Sequence, residues 1–121
     1  MRNGHVGKFT YPASLNALSM SNIFSDIPAN LTEELFENLA EKPNVKIERI
    51  ISKGHTSPKQ GWYEQAQDEW VIVLQGEAII TFEDSEKRLG SGDYLMISAG
   101  VKHKVSWTKP DIETVWLAVF C

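Results

Sequence analysis

The side chains best equipped for chemistry in this 121-residue chain fall in its second half. Glu69 opens the run Trp70, Val71, Ile72, Val73, Leu74, so at a strand period of two it shares a face with Val71 and Val73. A carboxylate on an apolar face needs compensation, either a metal ion or a partner such as His103, a lysine or a tyrosine. His103 stands between Lys102 and Lys104 at a predicted strand start, where an imidazole serves as a metal ligand or as an ordinary hydrogen-bonded group. Of the two other histidines, His5 lies in a polar N-terminal arm and reads as solvated. His55 follows a strand on a loop that could fold over a site. If His55, Glu69 and His103 converge, they make a set of two imidazoles and one carboxylate.

Four residues just upstream of Glu69 set the character of any pocket. Trp62 and Glu64 share one face of an extended segment, and Tyr63 and Gln65 share the other. Tyr63 and Gln65 pointing inward would give a neutral, hydrogen-bonding cavity. Trp62 and Glu64 pointing inward would give an apolar wall with an acid. Other chemistry finds no support: there is no Gly-x-Ser-x-Gly and no phosphate-binding glycine loop, and the single cysteine, Cys121, is the last residue. Gly90, Ser91 and Gly92 read as a turn.

The elements that must position these residues are short. The length suits one domain, with 42% hydrophobic and 23% charged residues. Twelve Lys+Arg against sixteen Asp+Glu give a net charge of -4 with no basic cluster, which argues against nucleic acid. No apolar run approaches the roughly 18 residues of a membrane span, and no signal-peptide core is evident, so the expectation is a soluble cytoplasmic protein without membrane contact. Residues 1–29 read as an arm. Over residues 30–42, Leu31, Leu35, Phe36, Leu39 and Ala40 recur at helical spacing, with Asn30 and Glu33 as a capping pair and Pro43 as a stop, so an amphipathic helix is expected there, with Glu33, Glu34, Glu37 and Glu41 mostly on a wet face where paired carboxylates could also bind a cation. From residue 43 to 121 the period drops to two. Strands are expected over 45–52, 61–65, 69–75, 77–83, 86–89, 93–98, 103–108 and 113–120, which makes a β-sandwich or small barrel.

Two stretches of this β region resemble the paired signature of the cupin family. Glu69, six residues and Gly76 match the end of the first motif. Gly92, followed by Gly100 and His103, matches the second, with Ser98 in place of its proline and Trp107 in place of its asparagine. The resemblance spans about residues 45–120 and implies an all-β cupin double-stranded β-helix, a jelly-roll barrel, here with one N-terminal helix. The stretch Ser57, Pro58, Trp62, Tyr63, Glu64, Gln65 further resembles small single-domain cupins. Metal-binding cupins hold Fe, Mn, Ni, Zn or Cu with a His-x-His pair, the motif-one Glu and the motif-two His. The resemblance therefore places Glu69 and His103 in two of four ligand positions and leaves the His-x-His pair missing, with Glu64, Gln65 and His55 as candidates for a third donor.

Three functions follow as expectations. The first is a small metal-assisted enzyme acting on an organic substrate at Glu69 and His103. The second is a metal-free module that binds or senses a small molecule, without cofactor or catalysis. The third is a metal-free isomerase with His103 as base and Tyr63 as acid, which resembles sugar-nucleotide epimerases. Cupins commonly dimerise, and the apolar strand 114–120 is read either as a homodimer contact or as an inner core strand.

Overall fold

The computed structural model describes residues 20–121. Eight strands occur in the order β1 (Leu35–Lys42), β2 (Val45–Ser52), β3 (Glu69–Gln75), β4 (Glu77–Phe82), β5 (Glu86–Gly90), β6 (Tyr94–Ile97), β7 (His103–Thr108) and β8 (Thr114–Phe120). They form a five-stranded sheet, β1-β2-β8-β3-β6, and a three-stranded sheet, β5-β4-β7, with every pairing antiparallel. Among the described residues no helix is long and apolar enough to cross a membrane.

Residues 30–42 do not form the expected helix. Leu35–Lys42 is an edge strand, with Leu35 opposite Ile51 and Lys42 opposite Val45. The residues of this stretch favour helix in isolation, but that preference is worth only tenths of a kcal/mol each. Pairing supplies β2 with its second neighbour and covers an otherwise open edge. The glutamates are consequently not one wet face. Glu37 pairs with the buried Arg49, and Glu34 turns toward the interior.

The segment 61–65 is likewise no strand. It contributes one isolated bridge, between Tyr63 and His103, and β1 takes the eighth place. Strand β8 lies hydrogen-bonded between β2 and β3 at the centre of its sheet, which makes it an inner strand with no free edge. Residues 20–34 carry turns and no regular element. Arg49 secures them, donating to the carbonyl oxygens of Ile23 at 2.9 Å and Ser25 at 2.6 Å. His5 and residues 1–19 of the expected arm lie outside the described residues.

The inner faces follow from register, because directly opposed residues of antiparallel strands point the same way. Phe120 and Ile97 flank Glu69, and Ala118 and Leu95 flank Val71. Ile50 stands opposite Trp116, and Ser52 opposite Thr114. From the smaller sheet, Ala78, Ile80 and Val105 join the same core. The bland side chains fill a sealed interior, and Glu69 sits at its end.

Gly76 makes the turn from β3 to β4 possible. Its φ is +93°, and a Cβ there would lie 2.4 Å from Thr114 Oγ1 and 2.6 Å from Thr114 Cα. Thr114 has no room to retreat, being fully buried and bonded through Oγ1 to the Glu77 backbone. Gly76→Ala should lower the unfolding free energy by about 3 kcal/mol or more in urea titration, from strain and overpacking together. A loss below about 0.5 kcal/mol would show that the turn tolerates a side chain.

Candidate functional site

Glu69 and His103 approach each other from opposite sheets. Glu69 is the first residue of β3 and His103 the first of β7, and each is 1% exposed. His103 Nε2 lies 3.4 Å from Glu69 Oε1. Each position has a local cause. Asp68, just before Glu69, exchanges backbone hydrogen bonds with Cys121 and accepts one from the Ala99 amide through Oδ1. His103 exchanges backbone bonds with Tyr63, at 2.8 and 3.0 Å.

The imidazole is held in one orientation. Its Nδ1 lies 2.8 Å from the Val101 carbonyl oxygen, which can only accept, so Nδ1 carries the proton. In the neutral ring Nε2 then presents a lone pair toward Glu69. That nitrogen is buried and has no hydrogen-bond partner. An imidazole oriented by a carbonyl at one nitrogen and bare at the other is the usual arrangement of a metal-binding histidine.

Gln65 stands behind the carboxylate. It is 5% exposed and donates from Nε2 to Glu69 Oε1 at 3.2 Å, while its own Oε1 is buried without a partner. Its backbone oxygen accepts from the Gly100 amide at 2.8 Å, tying the segment to the turn before His103. Of the two possible faces, the inner one is thus that of Tyr63 and Gln65. Tyr63 is half-buried on the core, with its ring 5.8 Å from the imidazole. Trp62 is exposed and carries the Lys104 ammonium 4.4 Å from its ring centre, and Glu64 is exposed.

Between the sheets lies a cavity of about 10 Å³, space for about one water-sized sphere. Its polar lining residues are Glu34, Glu69 and His103; the remainder, including Ile50, Val71 and Trp116, are apolar. None of the three expected third donors lines it, and Gln65 reaches only as far as its hydrogen bond to Glu69. His55 accepts the Lys53 amide proton at Nδ1 and does not line the cavity, and Glu64 does not line it either. Among the described residues no three His, Cys, Asp or Glu side chains stand close enough to hold one ion by themselves.

Glu34, expected on the wet face of a helix, instead lines the cavity. It immediately precedes β1, so the extended register that sets Leu35 opposite Ile51 brings it beside Ser52. The Ser52 hydroxyl donates to Glu34 Oε2 and accepts from Trp116 Nε1 at 3.1 Å. Glu34 Oε1 is buried with no partner. Only the strand reading of residues 35–42 could have pointed to it.

Residues 49–120 match the family model of the cupin domain, and the chain belongs to the cupin family. A solved structure of a candidate mannose-6-phosphate isomerase from Ralstonia eutropha JMP134 is 43% identical; the match covers 85% of this chain and 97% of that one, with a TM-score of 0.80. A cupin superfamily protein from Desulfitobacterium hafniense DCB-2 is 27% identical over 78% of this chain and 82% of its own, with a TM-score of 0.65. A cupin-2 domain protein from Shewanella frigidimarina is 26% identical over 70% and 78%, with a TM-score of 0.57. No curated protein matches the chain.

The His103 geometry is open to direct measurement. Long-range 1H–15N correlation spectra of the metal-free protein, recorded where the ring is neutral, should show the proton on Nδ1 and a bare Nε2. A proton on Nε2 would contradict the hydrogen bond to Val101 and remove the lone pair from the cavity.

Proposed function

We propose that the barrel cavity is a divalent-metal site held by Glu69 and His103, and that the protein acts there on a small organic molecule. The observation that carries this reading is the sign of the lining. Its polar groups are two carboxylates and an imidazole lone pair, two of their atoms have no partner, and no lysine or arginine lines the cavity. A water molecule brings two protons to these acceptors and no charge. A dication held by Glu69 and His103 would offset the negative charge of the lining.

The donor set fits such an ion in kind. Imidazole nitrogen and carboxylate oxygen suit first-row transition metals, and donors about 2.0–2.2 Å from one ion stand roughly 3.0–3.5 Å apart, as His103 Nε2 and Glu69 Oε1 do. The ion would act as a Lewis acid toward a carbonyl or hydroxyl oxygen. The chain's own part is to position and to exclude water. Val101 holds the imidazole, Gln65 holds the carboxylate by its amide proton, and Ile50, Val71, Ile80, Ile97 and Val105 keep the surroundings dry.

Similarity to a candidate mannose-6-phosphate isomerase makes sugar phosphates reasonable first compounds to assay. At about 10 Å³ the cavity has no room for a hexose, so a substrate of that size engages the site only if the barrel opens. The metal-free alternative reads the same 3.4 Å contact as an imidazolium–carboxylate pair, and metal analysis separates the two. Protein prepared without chelator or histidine tag and equilibrated with Co2+ should hold near-stoichiometric metal. Glu69→Gln and His103→Ala should each reduce this to traces. Trace metal in the wild type would instead leave a metal-free pocket, to be screened for organic ligands by thermal shift.

A further inference from the structure

The two sheets part along one side of the molecule. Strand β5 is hydrogen-bonded only to β4 and β6 only to β3, so each is an edge of its own sheet, and residues 91–93 carry the chain from one to the other. Between them lies an open cleft of about 580 Å³, within the roughly 300–1,000 Å³ usual for small-molecule sites. It shares no lining residue with the cavity at Glu69 and His103.

Register explains the composition of the cleft. Leu89 stands opposite Ala78 and Leu95 opposite Val71, so both point inward with the core and, with Phe82, form an apolar floor. Lys87 stands opposite the core residue Ile80 and so takes the inward side of β5. Its side chain is nevertheless exposed, and it has no ion pair among the described residues. Arg88 beside it gives Nε to Glu77 at 2.7 Å and lies 4.9 Å from the centre of the Trp107 ring, which leaves its terminal nitrogens to donate elsewhere. The one acid of the lining, Asp93, is engaged at Oδ2 by the Gly90 amide at 2.8 Å. Two cations against one acid make the lining net positive on a chain of net charge -4. The free edges of β5 and β6 add backbone amides that no strand pairs. A lysine on an edge strand also discourages pairing with another chain, but that task needs neither an apolar floor nor a second cation.

We infer that the cleft between β5 and β6 binds a phosphate monoester with an apolar body. Lys87 and Arg88 take the phosphate oxygens, and Phe82, Leu89 and Leu95 take the body. A phosphate brings three free oxygens and up to two negative charges, which suit a pair of cations beside unpaired amides better than a carboxylate does. Tyr94 and Met96, 65% and 53% exposed, give the rim two further apolar contacts. This site lies beyond the metal reading above and does not depend on it.

The test is titration of the full chain with phenyl phosphate, in chloride buffer without added metal, followed by 1H–15N correlation spectra. Saturable shifts should concentrate in the amides of residues 86–97. Phenol, which lacks the phosphate, and inorganic phosphate, which lacks the ring, should each bind roughly ten-fold more weakly. Lys87→Gln should weaken phenyl phosphate about ten-fold, as loss of a hydrogen bond to a charged group does. Lys87→Arg should keep most of the affinity. Lys59→Gln makes the same charge change on an exposed lysine outside the lining and should leave the affinity unchanged. The same spectra show that each variant is folded.

Absence of saturable shifts in β5 and β6 would overturn the inference, and so would an equal loss in Lys59→Gln, which would reduce the effect to attraction between net charges. Equal affinity for inorganic phosphate would overturn it as well, since the floor would then contribute nothing. Concentration-dependent shifts of the same amides without ligand, together with a dimer in sedimentation velocity, would instead make the cleft a contact between two copies. None of these outcomes bears on Co2+ at Glu69 and His103, so the two readings stand or fall separately.

Discussion

The structure turns on a carboxylate and an imidazole that meet in an otherwise largely apolar interior. Glu69 comes from one sheet and His103 from the other, so their 3.4 Å approach is possible only when the two sheets close at their native spacing. Burying either group alone is expensive, and burying both without a hydrogen bond between them is more so. Most of the surrounding detail bears on that cost. Val101 takes the Nδ1 proton, Gln65 gives its amide proton to the carboxylate, and the turn before β7 is bonded to the loop before β3 at two places.

The second constraint is the N-terminal wall. Arg49 is buried on the outer side of β2, where it gathers the backbone of residues 23–26 and the Glu37 carboxylate. Ser52, on the inner side of the same strand, holds Glu34 against the cavity. One strand therefore secures the incoming chain on both faces. The site is bounded on this side by a segment with little regular structure, held in place by these side chains.

The legible parts of the molecule are those with long, uninterrupted patterns. The run from Glu69 to Gln75 is apolar from Trp70 to Leu74, as suits a strand between two others, so its one charged residue stands out. His103 was reachable through the spacing of Gly92 and Gly100 before it. Residues 35–42 misled because β1 is an edge strand: half-exposed on both faces, it has no sharp alternation, and its Leu, Glu, Ala and Lys suit a helix equally well. Calling it a helix hid Glu34, since the side facing the barrel is defined only by pairing with β2. The third donor stayed ambiguous for a related reason. Residues 61–65 form no continuous strand, so periodicity could not choose between Tyr63 with Gln65 and Trp62 with Glu64, and only the single bridge to His103 does. His55 depends on a loop, whose course spacing alone does not specify.

Anomalous diffraction from crystals of the full chain grown with Co2+, measured at the cobalt edge, tests the central claim most directly. One strong peak is expected inside the barrel, within bonding distance of His103 Nε2 and a Glu69 oxygen. A barrel without anomalous density, or cobalt bound only at surface carboxylates, would contradict it and leave Glu69 and His103 as an ion pair that serves the fold alone.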